Sequence, residues 1–180
     1  MDTKRARFEG SVGPYLSAAY NLARWLTRDQ HDAEDVLQEA LLRAFTFFDG
    51  LRGSDARAWI LKIVRNTCFT WLQANRPAEL IMVDALELDE LPAPQYGGLD
   101  DDPETLALRK TAAAELQEAL AGLPAPLREV LVLREIEGLS YKEIAAIIDA
   151  PIGTVMSRLA RGRADLRYVL RHSGCKGNSR

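Results

Sequence analysis

The chain has 180 residues, of which 47% are hydrophobic and 27% charged, and it carries a net charge of −3. That length allows one domain or two small ones with real cores, and the composition is that of a soluble globular protein. The opening MDTKRARFEG is polar and contains no apolar run to serve as a signal peptide, and no uninterrupted apolar stretch is long enough to span a membrane. Cys68 and Cys175 are too few for a disulfide framework or a closed zinc site, which points to a reducing cytoplasm.

Residues 12–76 read as helices throughout. Asp32 is the expected N-cap of a helix on which Leu37, Leu41, Ala44 and Phe48 recur at helical spacing. Asp49-Gly50 breaks that pattern, and the loop 51-LRGSD-55 follows. A longer helix then runs to about Asn75 with Ile60, Val64, Cys68 and Trp71 on its apolar stripe, and Pro77 closes the block.

Residues 77–103 hold four prolines, a Gly-Gly pair and eight acids (Glu79, Asp84, Glu87, Asp89, Glu90, Asp100, Asp101, Asp102), with no Lys or Arg. This is a linker composition, although the apolar runs Ile81–Val83 and Leu86–Leu91 suggest docking rather than a free tether. Setting its −8 aside leaves +5 on the remainder, so the net charge conceals two mildly basic blocks around an acidic connector. Helical patterning resumes at Glu104 and holds to about Arg171, with no repeat and no convincing strand. The expected fold is all-α, with two helical domains joined by an acidic linker.

In the second block, Pro126 suits the first turn of a helix that Leu127, Val130, Leu131 and Arg134 continue to Glu137, and Gly138 ends it. Ser140 and Glu143 form an S-x-x-E capping box opening a short helix whose Ile144, Ala145 and Ile148 face inward. Pro151 and Gly153 break the chain again, giving the spacing of a helix-turn-helix. The last helix has two faces. Val155, Leu159, Gly162 and Leu166 form an apolar stripe with a Gly where close packing is needed, and Thr154, Ser157, Arg158 and Arg161 form a polar, basic one. Five Arg stand against one Asp between Ile152 and Arg171. A recognition helix needs N-terminal side chains that reach base edges and cations that reach phosphates. A basic stripe alone is usually just a solvated face; here the cap, the turn and the two-faced helix agree on a duplex reader.

The run 123-LPAPLREVLVLREIEGLSYKEIAAIIDAPIGTVMSRLARGRADL-166 resembles region 4 of bacterial sigma factors of the extracytoplasmic-function group. Its most specific pieces are LP-x-x-x-R-x-V-x-x-L, G-L-S-Y-x-E-I-A and P-I-G-T-V-x-S-R-L-x-R-x-R. Response-regulator output domains share a similar helix-turn-helix, and the N-terminal block decides between them: 33-AEDVLQEALLRAF-45 resembles region 2.2 and 51-LRGSDARAWILKIVRNTCFTWL-72 resembles regions 2.3 and 2.4. The implied organisation is region 2 over residues 1–76, linker 77–103, region 4 over 104–172 and a flexible tail at 173–180.

The resemblance implies an alternative sigma factor that binds core RNA polymerase, directs it to promoters and is held by an anti-sigma factor. It further implies a cytoplasmic protein that is not an enzyme and has no cofactor. For core polymerase it implies Asp35, Gln38, Glu39, Leu42 and Arg43, which lie off the apolar stripe. For the single-stranded −10 element it implies Arg52, Ser54, Asp55, Lys62, Arg65, Asn66, Phe69 and Gln73: a loop to accept an extruded base, backed by cations, amides and an aromatic. Arg76 falls on the same side of that helix. Asn66 is read as a base-edge contact, Arg65 and Lys62 as phosphate contacts, and Trp59 equally as core or wedge. For the −35 duplex it implies Thr154, Ser157, Arg158, Arg161 and Arg163. The sequence departs from the family pattern at Thr70, where an Asp is common, at Met156, where a basic residue is common, and at Ala160, so the base preference stays open. The linker is expected in the polymerase cleft, with a solubilising tether as the alternative.

No catalytic constellation is present. His31 is placed in a helix–helix connection and His172 in the tail, Cys68 reads as a small core residue, and His172 with Cys175 is at most half a metal site. Two rival functions differ in what they require. A free-standing helix-turn-helix regulator needs a dimerisation element and leaves residues 12–76 unexplained. A decoy for a sigma inhibitor has no need of Arg158, Arg161 and Arg163.

Overall fold

The computed structural model describes residues 2–51, 55–81 and 103–173. Among these the chain is helical and without strands: α1 (Asp2–Val12), α2 (Leu16–Thr27), α3 (Gln30–Phe47), α4 (Ala56–Asn75), α5 (Pro103–Gly122), α6 (Ala125–Leu131), α7 (Tyr141–Ile148) and α8 (Ile152–Ser173). The all-α expectation with two helical blocks holds.

In the first block α2, α3 and α4 pack on one another. Their shared core is built from Leu22 and Leu26 of α2, Val36, Ala40 and Ala44 of α3, and Ile60, Val64, Cys68 and Leu72 of α4, all essentially inaccessible. The α4 stripe is as expected except that Leu72 takes the fully buried place and Trp71 lies at its edge beneath Arg76. On α3 the buried line is Ala33, Val36, Ala40 and Ala44, with Leu37 and Leu41 half-buried beside it. The N-cap is Asp29 rather than Asp32: its extended backbone aims the carboxylate at the amides of His31 and Asp32, 2.8 and 3.1 Å away. His31 consequently lies in the first turn of α3, not in a connection. Helix α1 had no apolar periodicity to announce it. Phe8 fastens it, meeting the edges of Phe45 and Phe48 at 5.3 Å. Trp59 packs half-buried against Phe48, which favours its core reading.

The second block starts from α5. Pro126 sits in the first turn of α6, but the helix does not run regularly to Glu137; a π-turn over Val132–Ile136 widens it before Gly138, at φ +68°, turns the chain. Ser140 caps α7 with both halves of the expected box made by Glu143. Ile144, Ile147 and Ile148 of α7 are buried, and Ala145 is half-buried beside them. Asp149, in the left-handed region at φ 57°, ends α7, and α8 begins at Ile152. Gly162 is a close-approach site: a Cβ there would lie 2.9 Å from Leu131 Cδ1 on α6. His172 lies in the last turn of α8, and Cys175 lies outside the described residues, as does the acidic segment 82–102.

The two blocks meet. Helix α4 packs on α7, and α2 on α6. Arg128 is wholly buried at the junction, with Nη1 donating to Ala121 O and Leu123 O in its own block and Nη2 donating to Leu26 O of the first block and to Glu79 Oε2 just past the end of α4. Glu79 also pairs with Arg28 at 3.3 Å and Arg76 at 3.7 Å, so one carboxylate ties the ends of α2 and α4 to α6. Burial pushes the Arg128 guanidinium below its ordinary value, and the bond to Glu79 opposes that.

Candidate nucleic-acid interface

The duplex-reading residues lie on α8, positioned by the turn after α7. Val155 and Leu159 bury one side of α8, while Ser157 is exposed and Thr154, Arg158, Arg161 and Arg163 are partly so. Ser157 Oγ donates to Thr154 O at 3.0 Å, within the helix. Arg161 faces Asp165 at 3.8 Å on its own helix, and Arg163 Nε reaches Glu135 at 3.1 Å. Both partners are exposed enough for water and salt to compete, so these pairs hold their arginines weakly.

The single-strand residues lie on α4 and the loop before it. Arg52 and Ser54 fall outside the described residues. Asp55 is the N-cap of α4, its carboxylate accepting from Ala58 N at 2.9 Å, which gives it a structural role in addition to the one expected. Asn66 and Gln73 are exposed. Arg65 lies 3.8 Å over the ring of Phe69 and donates to Asn66 Oδ1 at 3.3 Å, so cation, aromatic and amide form one contiguous group. Lys62 is 3.6 Å from Asp149, at the end of α7.

The two sets converge in a way sequence reasoning missed. Glu129 of α6, fully buried, receives Arg65 Nε at 2.7 Å and Arg65 Nη2 at 3.1 Å from the first block, and Arg158 Nη1 at 3.2 Å from α8. Burial pushes the Glu129 carboxyl up, and the two guanidiniums pull it back. Nearby, Arg57 donates to Glu137 O at 2.7 Å, and Asn21 donates to the Glu137 carboxylate at 3.2 Å. Cys68 is buried below Arg65; desolvation, with the Glu129 charge adding to it, pushes its thiol up to about 12, so it is not a nucleophile.

On α3, Asp35, Gln38, Glu39, Leu42 and Arg43 are all exposed, with Glu39 and Arg43 paired along the helix. Leu42 is 71% exposed, and Phe47 of the same helix, not anticipated from sequence, is 67% exposed. Leu42, a large apolar side chain in water amid charges, makes this face suited to a protein partner, while Phe47 lies about 140° further round the helix. Among the described residues, no group of three His, Cys, Asp or Glu could hold a metal, and no helix is long and apolar enough to cross a membrane.

Comparison with known proteins agrees with this layout. The model of sigma-70 region 2 matches residues 12–77, and that of sigma-70 region 4 matches residues 113–166. The ECF RNA polymerase sigma factor SigE of Mycolicibacterium smegmatis is 37% identical over 165 residues, 90% of this chain and 61% of that protein. The ECF RNA polymerase sigma-E factor of Escherichia coli is 39% identical over 137 residues, 73% of this chain and 70% of that one. The chain thus spans less than two thirds of the mycobacterial relative. The sigma factor RpoE from Bartonella quintana, solved in complex with the anti-sigma factor NepR, aligns with a TM-score of 0.67 at 27% identity, over 92% of this chain and 97% of that one. CnrH, solved with the cytosolic domain of CnrY, gives 0.62 at 24% identity, over 93% and 90%, a likeness of fold. With both regions matched in order and this level of identity, the chain belongs to the extracytoplasmic-function (ECF) RNA polymerase sigma factors.

Proposed function

We propose that this chain binds core RNA polymerase and directs it to specific promoters, reading duplex DNA with α8 and the melted strand with α4. The observation that carries this reading is the presence of three chemically distinct surfaces on one chain. These are an exposed apolar-and-charged α3 face, a cation–aromatic–amide group on α4, and a capped helix-turn-helix ending in a basic helix. A free-standing regulator has no use for the first two. Residues 1–76 then form the polymerase- and single-strand-binding unit, 77–103 the linker, 104–172 the duplex-binding unit and 173–180 a tail.

The roles follow from chemistry. Asp35, Gln38, Glu39, Leu42 and Arg43 contact the polymerase. Thr154 and Ser157 reach base edges, while Arg158, Arg161 and Arg163 reach phosphates or guanine edges. On α4, Asn66 reads an extruded base, Phe69 and Gln73 support it, and Lys62 and Arg65 hold the strand's phosphates. Arg52, Ser54 and Asp55 shape the loop before α4. The chain performs no chemistry itself, needs no cofactor and works in the cytoplasm. An anti-sigma partner is proposed from the likeness to RpoE, which was solved with one.

Arg158→Ala and Asn66→Ala test the division of labour with the chain loaded on core polymerase. Arg158→Ala should weaken promoter duplex binding, by about 1–3 kcal/mol for one lost bidentate contact. Asn66→Ala should leave duplex binding intact and reduce permanganate reactivity of the opened strand. Equal loss of duplex binding in both would contradict the assignment.

A further inference from the structure

Residues assigned to two different DNA contacts, Arg65 on α4 and Arg158 on α8, share one buried carboxylate that belongs to neither helix. We propose that Glu129 acts as an internal substitute for DNA phosphate, holding both arginines in the free chain and so keeping the DNA-binding surfaces closed on one another. This rests on the reading that these two arginines meet DNA, and adds a regulatory consequence to it.

The geometry makes the two states mutually exclusive. Arg65 presents Nε and Nη2 side by side to the two Glu129 oxygens, at 2.7 and 3.1 Å. That is the edge a guanidinium uses for a phosphate, so an arginine so engaged is not available to DNA. Glu129 is fully buried, Arg65 is 16% exposed and Arg158 is 22% exposed, so the contacts are shielded from water and salt. Only the Arg65 pair crosses between the blocks, so phosphate reaches this edge of Arg65 after α4 has parted from the second block. Arg158 and Glu129 share a block, and their bond is given up by a side-chain exchange.

Two further charge pairs cross the seam, both more exposed than those of Glu129 and so weaker. Lys62, also assigned to DNA, faces Asp149 across the junction at 3.6 Å. Arg57 grips the carbonyl and carboxylate of Glu137, at 2.7 and 3.6 Å. In each pair, α4 supplies the cation, and α6, α7 or the turn after α6 supplies the anion. The second block therefore meets the strand-binding helix with carboxylates, as the nucleic acid would with phosphates.

The two arms are unequal. Arg65 makes two bonds to Glu129 and stacks on Phe69, whereas Arg158 makes one, and its buried Nε has no partner among the described residues. A phosphate oxygen supplies the acceptor that Arg158 Nε lacks once the chain has opened, so of the two arms Arg158 gives up less in exchanging Glu129 for DNA. A buried ion pair is weak evidence for stability alone, since apolar residues would close the seam as well. A carboxylate there gives a contact that can be exchanged for phosphate.

The test uses the full chain without polymerase and a fluorescent random-sequence DNA duplex at low ionic strength, because phosphate contacts need no particular sequence. Small-angle scattering reports opening, and anisotropy reports binding. Glu129→Gln is expected to raise the radius of gyration and tighten duplex binding roughly tenfold, by increasing the fraction of competent chain. Arg57→Ala weakens the same seam at a partly exposed site, leaves Glu129 and the assigned DNA residues untouched, and should shift both readouts in the same direction. Adding Arg158→Ala to Glu129→Gln should remove the gain. Wild-type dimensions and affinity in both folded single variants would overturn the proposal, as would opening without tighter binding. Failure of the functional reading shows separately, as Arg158→Ala leaving duplex binding by the polymerase-loaded chain unchanged.

Discussion

Arg128 is the Arg of the LP-x-x-x-R motif, and its surroundings define what it does. Arg128→Met keeps an unbranched apolar stem and removes every bond the guanidinium makes. Glu79 is not stranded, since Arg28 and Arg76 remain beside it. The loss falls on the carbonyls of Leu26, Ala121 and Leu123, which lose a charged donor in or near a dry interior. An unsatisfied buried acceptor costs about 1–3 kcal/mol, and half-buried Ala121 is open enough for water to replace the donor in part, which places the total near 3 kcal/mol. For a chain of this size that lowers Tm by roughly 6–12 °C. Urea and thermal denaturation followed by circular dichroism measure it. A cycle with Glu79→Gln should show coupling of about 1–2 kcal/mol, because the Nη2 arm alone reaches Glu79. A loss below about 1 kcal/mol, or strict additivity in the cycle, would refute the view that this arginine bonds the two blocks together.

Gly162→Val should cost about 2–3 kcal/mol, since its methyls enter space held by Leu131; a loss under about 0.5 kcal/mol in the same melts would contradict the close approach. Ser140→Ala should cost about 1 kcal/mol through the lost cap of α7. The bonds from Ser140 hold the Glu143 carboxyl below its ordinary 4.5, so its contribution is complete above that value and is lost as pH falls through the lowered one. Glu143→Gln retains the box and removes that acid-side slope; an unchanged slope would show that Glu143 is not its source. Cys68, with its thiol raised to about 12, should resist maleimide at neutral pH in a Cys175→Ser background and react after denaturation. Equal rates in the two conditions would contradict its burial.

What was legible in the sequence was local. The Ser140–Glu143 box, the α4 stripe and the small residue at Gly162 each declare themselves within a turn or two of helix, because cap chemistry and helical period are properties of neighbouring residues. Asp29 and Asp32 are equally able to cap by type, and only the extended backbone at Asp29 decides between them. Helix α1 was invisible because it depends on rings from α3 and its end, not on a pattern of its own. Glu129 occupies an unmarked position in the region 4 motif and reads as an ordinary helix-face acid. Its significance comes from Arg65, 64 residues earlier, and Arg158, 29 residues later. Long-range charge pairing of that kind leaves no periodicity to find. The same holds for Arg128, whose motif position is evident and whose partners are not.

The most direct test of the central claim is transcription in vitro from a genomic DNA library, using core polymerase with and without this chain. The account predicts that the chain binds core and produces initiation at a discrete set of promoters absent with core alone. Confirmed core binding with no specific initiation at any site would contradict it.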